Sequence, residues 1–187
     1  MPADASKNIS VKASYTDLQS TAESMTSASV TVVNVNDSPT GFVTISGTPT
    51  QGEILTVDDS LVDLDGLGVI SYQWLNNGAE ISGANQTSYS LSQNEVGKNI
   101  NVVISYTDGR GTKESVNSDL TDNIANINDA HAGTLTITGK AIQKQVLTVK
   151  NTLQDADGLG AIKYQWFANN VAINNAKAIP YYLPKRK

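Results

Sequence analysis

The chain has no cysteine and one histidine, His131, in its 187 residues. Without thiols, neither a disulfide framework nor a thiolate metal site can be built; the lack of cysteine suits a protein exported unfolded and one kept in the cytosol equally well. His131 lies in a linker with no glycine-framed nucleophile in view, so a Ser-His-Asp arrangement is not expected. Basic residues are outnumbered, 13 Lys and Arg against 18 Asp and Glu. The formal charge is −5 and the pI about 4.7, which speaks against a nucleic-acid groove. Lys185-Arg186-Lys187 is the one basic cluster and reads as a solvated end. No apolar run approaches the roughly 18 residues of a membrane span, so no membrane insertion is expected. Residues 1 to 20 lack a signal-peptide core, so any export signal is expected elsewhere or is absent from this piece.

What the chain does contain is a repeat. Asp63-Leu64-Asp65-Gly66-Leu67-Gly68 runs into Val69-Ile70-Ser71-Tyr72-Gln73-Trp74, and returns as Asp155-Ala156-Asp157-Gly158-Leu159-Gly160 before Ala161-Ile162-Lys163-Tyr164-Gln165-Trp166. Lys7-Asn8-Ile9 and Ser14-Tyr15-Thr16-Asp17 likewise return as Lys98-Asn99-Ile100 and Ser105-Tyr106-Thr107-Asp108, and Glu23-Ser24 as Glu114-Ser115. Asn34-Val35-Asn36-Asp37 returns as Asn126-Ile127-Asn128-Asp129. The shift is 91 residues in the early segments and 92 in the later ones, as position 155 against 63 shows. A period of that size is a whole domain, longer than a solenoid repeat. The boundaries follow: residues 1–37 are the C-terminal part of a preceding repeat, 38–129 a complete repeat, and 130–187 the N-terminal part of a following one.

Within the complete repeat, short alternating segments are separated by turn residues, and no helical period persists. Strands are expected around Val43 and Ile45, Leu55 and Val57, and Ile70, Tyr72 and Trp74, the last ending at the hairpin signal Asn76-Asn77-Gly78. Others are expected around Ile81, around Tyr89 and Leu91, over Ile100 to Tyr106, and near Val116. About seven strands in about 90 residues, with a Trp on the third, is the pattern of an immunoglobulin-like sandwich. The fold class expected is therefore all-β, as tandem immunoglobulin-like β-sandwich repeats.

In such a sandwich successive loops alternate between the two ends, so the loop of Asp63 and Asp65, the loop of Asp108 and the linker of Asn36 and Asp37 share one end. The turn Gln93-Asn94-Glu95-Val96-Gly97 falls at the other end, and its counterpart in the first fragment carries Asp4. Carboxylates about 5 Å apart repel by roughly 3 kcal/mol per pair at an effective dielectric near 20, so the cluster needs a cation, protonation or separation in solvent. Oxygen donors without His or Cys favour calcium over zinc, and calcium modules outside cells often bind only at about 10⁻⁴ to 10⁻³ M. The plainer reading is that Asp-Gly turns are closed by their own Asx side chains. Recurrence favours calcium: both acids return in the second copy, whereas Asp58 and Asp59 give way to Lys150 and Asn151.

These segments, together with the Asn-Val-Asn-Asp and Asn-Ile-Asn-Asp linkers, resemble the tandem immunoglobulin-like and cadherin-like repeats of giant bacterial surface adhesins. Those include calcium-dependent adhesins secreted by the type I route. The resemblance runs from about Ser6 to Leu183. It implies an extracellular, rod-like extender with no catalysis, whose junctions with neighbouring repeats are stiffened by calcium. It also implies ligand positions at Asp37, Asp63, Asp65 and Asp108 for one junction, and at Asp129, Asp155 and Asp157 for the next. The segment Ala178 to Pro184 departs from the repeat pattern, and the third unit stops before its own counterpart of Asp108. Two further readings stay open. One is a glycan- or protein-binding module, to which the few loop aromatics, Tyr181 and Tyr182, lend little. The other is head-to-tail self-association, in which the end pieces of two molecules complete one repeat; its plainer alternative is a fragment with frayed ends.

Overall fold

The computed structural model describes residues 4–185, so Arg186 and Lys187 of the basic cluster lie outside the described residues. The chain is all-β, and its described residues form small antiparallel sheets with one single-turn 3-10 helix. It divides into two compact units, one running up to Ala125 and the other from Asn126.

The first unit opens with β1 (Asn8–Ile9), β2 (Lys12–Thr16), β3 (Ala22–Thr26) and β4 (Val30–Thr31), in which β1 pairs with β4 and β2 with β3. There follow β5 (Val43–Ser46), β6 (Ile54–Asp59), β7 (Ser71–Asn76), β8 (Ala79–Glu80), β9 (Ser88–Ser90), β10 (Ile100–Thr107) and β11 (Lys113–Asn117). They make two sheets, ordered β5-β6-β9 and β11-β10-β7-β8. The β7–β8 connection is a two-residue turn at Asn77-Gly78, with φ of 47° and 80°, as a hairpin requires.

One core is shared by both sheets. Val43, Leu55 and Val57 come from the first, and Trp74, Ile100, Val102, Ile104 and Tyr106 from the second. Alternation explains which residues enter it: every second residue of β10 from Ile100 to Tyr106 is buried. Trp74 is fully buried, its indole N–H donates to the Gln86 carbonyl at 2.9 Å, and its ring lies 5.8 Å from that of Tyr89. At the foot of the sheets, the turn at Gln93–Glu95 is closed by a capping box with Ser92, and Gly97 donates to the Ile124 carbonyl.

The second unit holds β12 (Leu135–Gly139), β13 (Val146–Asn151), β14 (Phe167–Ala168), β15 (Val171–Ala172) and β16 (Tyr181–Tyr182), in sheets β12-β13-β16 and β14-β15. Its Trp166 repeats the contacts of Trp74: the indole donates to the Ala178 carbonyl at 3.0 Å and stacks on Tyr181 at 5.1 Å. The alternating segment Ile162-Lys163-Tyr164-Gln165-Trp166 forms no strand, however. Its counterpart β7 is a strand because β10 pairs with it from Ser71 to Asn76, and no described strand does the same for residues 163–168.

Candidate metal centre

The site is built where two loops touch, and glycine is what lets them touch. Gly109 donates to the Gly66 carbonyl at 3.0 Å, and a Cβ at Gly109 would lie 2.6 Å from the Asp65 carbonyl oxygen. A Cβ at Gly68 would fall onto the Thr107 carbonyl oxygen. Side chains at either position would push the loops apart, and with them the acids each carries.

Asp63, Asp108 and Glu114 each bring one carboxylate oxygen to within 4.8 Å of the others. Asp63 lies between β6 and β7, Asp108 between β10 and β11, and Glu114 on β11 opposite Tyr106 of β10. Asp63 is 8% exposed and Asp108 5%. Asp63 accepts the Asp65 amide on one oxygen at 2.8 Å and the Tyr106 hydroxyl on the other at 2.7 Å. Asp108 accepts the amides of Arg110 and Thr112 on Oδ1, at 2.8 and 2.7 Å. Its Oδ2 is buried and receives no hydrogen bond. A buried charged oxygen without a donor costs several kcal/mol in order of magnitude, whereas a cation would satisfy it.

Electrostatics point the same way. Burial pushes the Asp108 carboxyl up, but the amide donors of Thr112 and Arg110 outweigh it and hold the group below the usual Asp range, so it is ionised at neutral pH. Burial is also the largest cause holding the Tyr106 phenol above its ordinary value, followed by its hydrogen bond to Asp63 and the charges of Asp63, Glu114 and Asp108. Tyr106 is therefore a neutral donor into an acidic cluster. Three oxygen donors with one orphaned oxygen fit a hard cation, and these residues can hold a metal ion.

The other acids named from sequence do different work. Asp65, 3% exposed, accepts the Asn34 amide at 2.9 Å on one oxygen and the Asp37 backbone N–H at 2.8 Å on the other. It clamps the linker, and Asp37 takes part through its backbone. Asn36 reaches Glu114 with its side-chain amide at 2.7 Å, so linker and acid cluster adjoin. Asp4 is exposed and faces Lys7 at 3.9 Å. Glu114 is not among the acids expected from sequence, although Glu23 and Glu114 recur at matching positions and that recurrence is the available signal.

In the second unit, Asp157 accepts the Asn126 amide at 2.9 Å and the Asp129 backbone N–H at 2.8 Å, and donates its own N–H to Asp155 at 3.0 Å. These three bonds repeat those of Asp65 with Asn34, Asp37 and Asp63, whereas Asn128, the counterpart of Asn36, donates to the Asp129 carbonyl and not to an acid. Asp155 is half-buried and Asp157 exposed, and among the described residues no acidic cluster with metal-ligand spacing includes them. Compared with known proteins, the chain matches no family model, no curated protein and no solved structure.

Proposed function

We propose that the chain is a non-catalytic extender segment of a bacterial cell-surface adhesin, made of tandem immunoglobulin-like sandwich repeats and stiffened by calcium where a linker meets a repeat. The observation that carries this reading is the donorless, buried Oδ2 of Asp108, within a cluster of three carboxylates whose neighbour Asp65 holds the linker. The all-oxygen donor set favours calcium, and an extracellular setting supplies it at about the 10⁻³ M that weak sites need. Asp63, Asp108 and Glu114 would hold the ion. The ion would offset repulsion of about 3 kcal/mol per pair at an effective dielectric near 20 and tie together the two loops and β11. Because Asn36 bonds Glu114 and Asp37 bonds Asp65, fixing the cluster also fixes the linker that enters it. The function is mechanical: a hinge made stiff.

Calorimetric melting with calcium and with chelator tests this. At about 100 times its Kd the ion adds about 2.7 kcal/mol, a rise in Tm on the order of 10 °C for a domain near 100 residues. Equal melting temperatures in the two buffers would remove the metal. Asp108→Asn keeps the Oδ1 acceptor but removes the charge, so it loses the calcium gain while melting no lower than the wild type in chelator.

A further inference from the structure

Asn77 and Gly78 form the turn between β7 and β8, exposed and outside the ladder that pairs Asn76 with Ala79. Gly78 gives its N–H to no group among the described residues, and a Cβ there would meet nothing within 4 Å, so its amide nitrogen is open to approach. Asn77 is held at two points by Asn99: its backbone N–H donates to the Asn99 carbonyl at 3.0 Å, and its Oδ1 accepts the Asn99 N–H at 3.0 Å. The second bond draws electron density from the side-chain carbonyl and makes Cγ more electrophilic. An activated carbon thus adjoins a nitrogen that no side chain shields.

We propose that Asn77 is a modification site, at which the chain deamidates itself with the Gly78 nitrogen as nucleophile and water as co-reactant. The Gly78 amide loses its proton to base and attacks Asn77 Cγ, forming an N–Cγ bond. The Cγ–Nδ2 bond breaks, and Nδ2 takes up a proton and leaves as ammonia. Water then opens the five-membered imide at either carbonyl. Opening at Cγ gives aspartate on an unchanged backbone; opening at the backbone carbonyl gives isoaspartate, whose main chain runs through Cγ and is one methylene longer. Nothing is oxidised or reduced: amide and water become acid and ammonia.

The structure separates this asparagine from others with a small or turn-forming residue after them. At Asn117-Ser118, Asn36-Asp37 and Asn128-Asp129 the attacking N–H is already given away, to the Val102 carbonyl at 2.9 Å and to Asp65 and Asp157 at 2.8 Å each. Asn169-Asn170 is a built-in control. It makes the same two-residue turn, between β14 and β15, with φ of 46° and 62° against 47° and 80°, but has a side chain beside the attacking nitrogen. Conversion also has a structural consequence. An isoaspartate lengthens a two-residue turn whose backbone angles are matched to the hairpin, so it breaks the paired bonds to Asn99 and frees the hairpin tip from the start of β10.

The test uses the whole chain, aged in mildly alkaline buffer and mapped by peptide mass spectrometry, with an isoaspartyl methyltransferase as probe for the rearranged product. Position 77 should convert to acid at least about tenfold faster than position 169. Asn77→Asp keeps the backbone and the acceptor for Asn99, so it should melt within about 4 °C of the wild type. The isoaspartate fraction, separated by chromatography, should melt below that variant. An Asn77 that stays intact in the folded chain while the urea-unfolded chain converts would overturn the proposal, because the turn would then shield the site. So would equal rates at positions 77 and 169, or an isoaspartate fraction that melts with Asn77→Asp.

Discussion

In the loop of Asp63 and Asp65 the Asp65 amide bonds Asp63 at 2.8 Å, and both acids are buried; in the loop of Asp155 and Asp157 the matching bond is 3.0 Å, and Asp157 is exposed. The linker contacts match as closely, Asp37 to Asp65 and Asp129 to Asp157 both at 2.8 Å. Local sequence thus sets the turn, because Asx side chains and glycines act over a few residues, and the clamp, which joins residues 28 and 31 apart, returns wherever loop and linker sequences return together. Burial and the three-acid cluster need more. They require β10 and β11, which deliver Tyr106, Asp108 and Glu114, and those strands have no counterpart among the described residues of the second unit.

The comparison is tested most strongly at the two tryptophans. Trp74 sits beside β10 in its sheet and is fully buried, whereas Trp166 has the same indole hydrogen bond and ring partner and is 8% exposed, with a groove beside it and no such strand. Urea unfolding followed by circular dichroism should give a loss of about 3–5 kcal/mol for Trp74→Ala and less than half of that for Trp166→Ala. Equal losses would mean that the second unit packs as tightly as the first without a covering strand.

A smaller difference separates Gly68 from Gly160, which hold the same place in the two loops. A Cβ at Gly68 meets the Thr107 carbonyl, while one at Gly160 meets nothing within 4 Å, and neither glycine has a left-handed backbone. Gly68→Ala should therefore cost about 1–3 kcal/mol and weaken calcium binding by spreading the loops. Gly160→Ala should be neutral or gain up to about 1 kcal/mol by restricting the unfolded chain. A mild Gly68→Ala would show that the loops need not touch to bring Asp63 and Asp108 together.

Much of this was legible in the sequence, for identifiable reasons. The alternation of Ile100, Val102, Ile104 and Tyr106 marks β10 because strand side chains alternate, and Asn77-Gly78 marks the β7–β8 hairpin because both residues accept positive φ. The same alternation at Ile162, Tyr164 and Trp166 yields no strand, since a strand is completed by a partner that periodicity cannot supply. Asp63 and Asp108 were legible as candidate ligands through recurrence and loop position. Glu114 was not, because on β11 it reads as one exposed position of an edge strand until pairing sets it opposite Tyr106. Nor does sequence distinguish Asp65, committed to linker amides, from Asp63, committed to the cluster. That division is tertiary.

The smallest effect separates Tyr106 from its counterpart Tyr15. Both phenols are held above their ordinary value, but for different leading reasons: burial for Tyr106, and the hydrogen bond to Glu23 for Tyr15. Removing the carboxylate partner should separate them in a spectrophotometric titration. Glu23→Ala removes the acceptor and brings Tyr15 down towards the ordinary tyrosine value of about 10, while Asp63→Asn leaves Tyr106 raised because it is still buried. The sign of the stability effect follows from linkage. A phenol raised by folding stabilises the folded chain fully below its unfolded value of about 10, and that contribution is lost as pH climbs from there towards the folded value. Alkaline unfolding should therefore begin above about pH 10 in the first unit, and Tyr106→Phe should lessen it while also removing the hydrogen bond to Asp63, the rest coming from Tyr72 and Tyr89, which burial raises as well. If Asp63→Asn alone returned Tyr106 to the ordinary value, its shift would come from the acid and not from the core, and the contrast between an enclosed end and an open one would lose its electrostatic half.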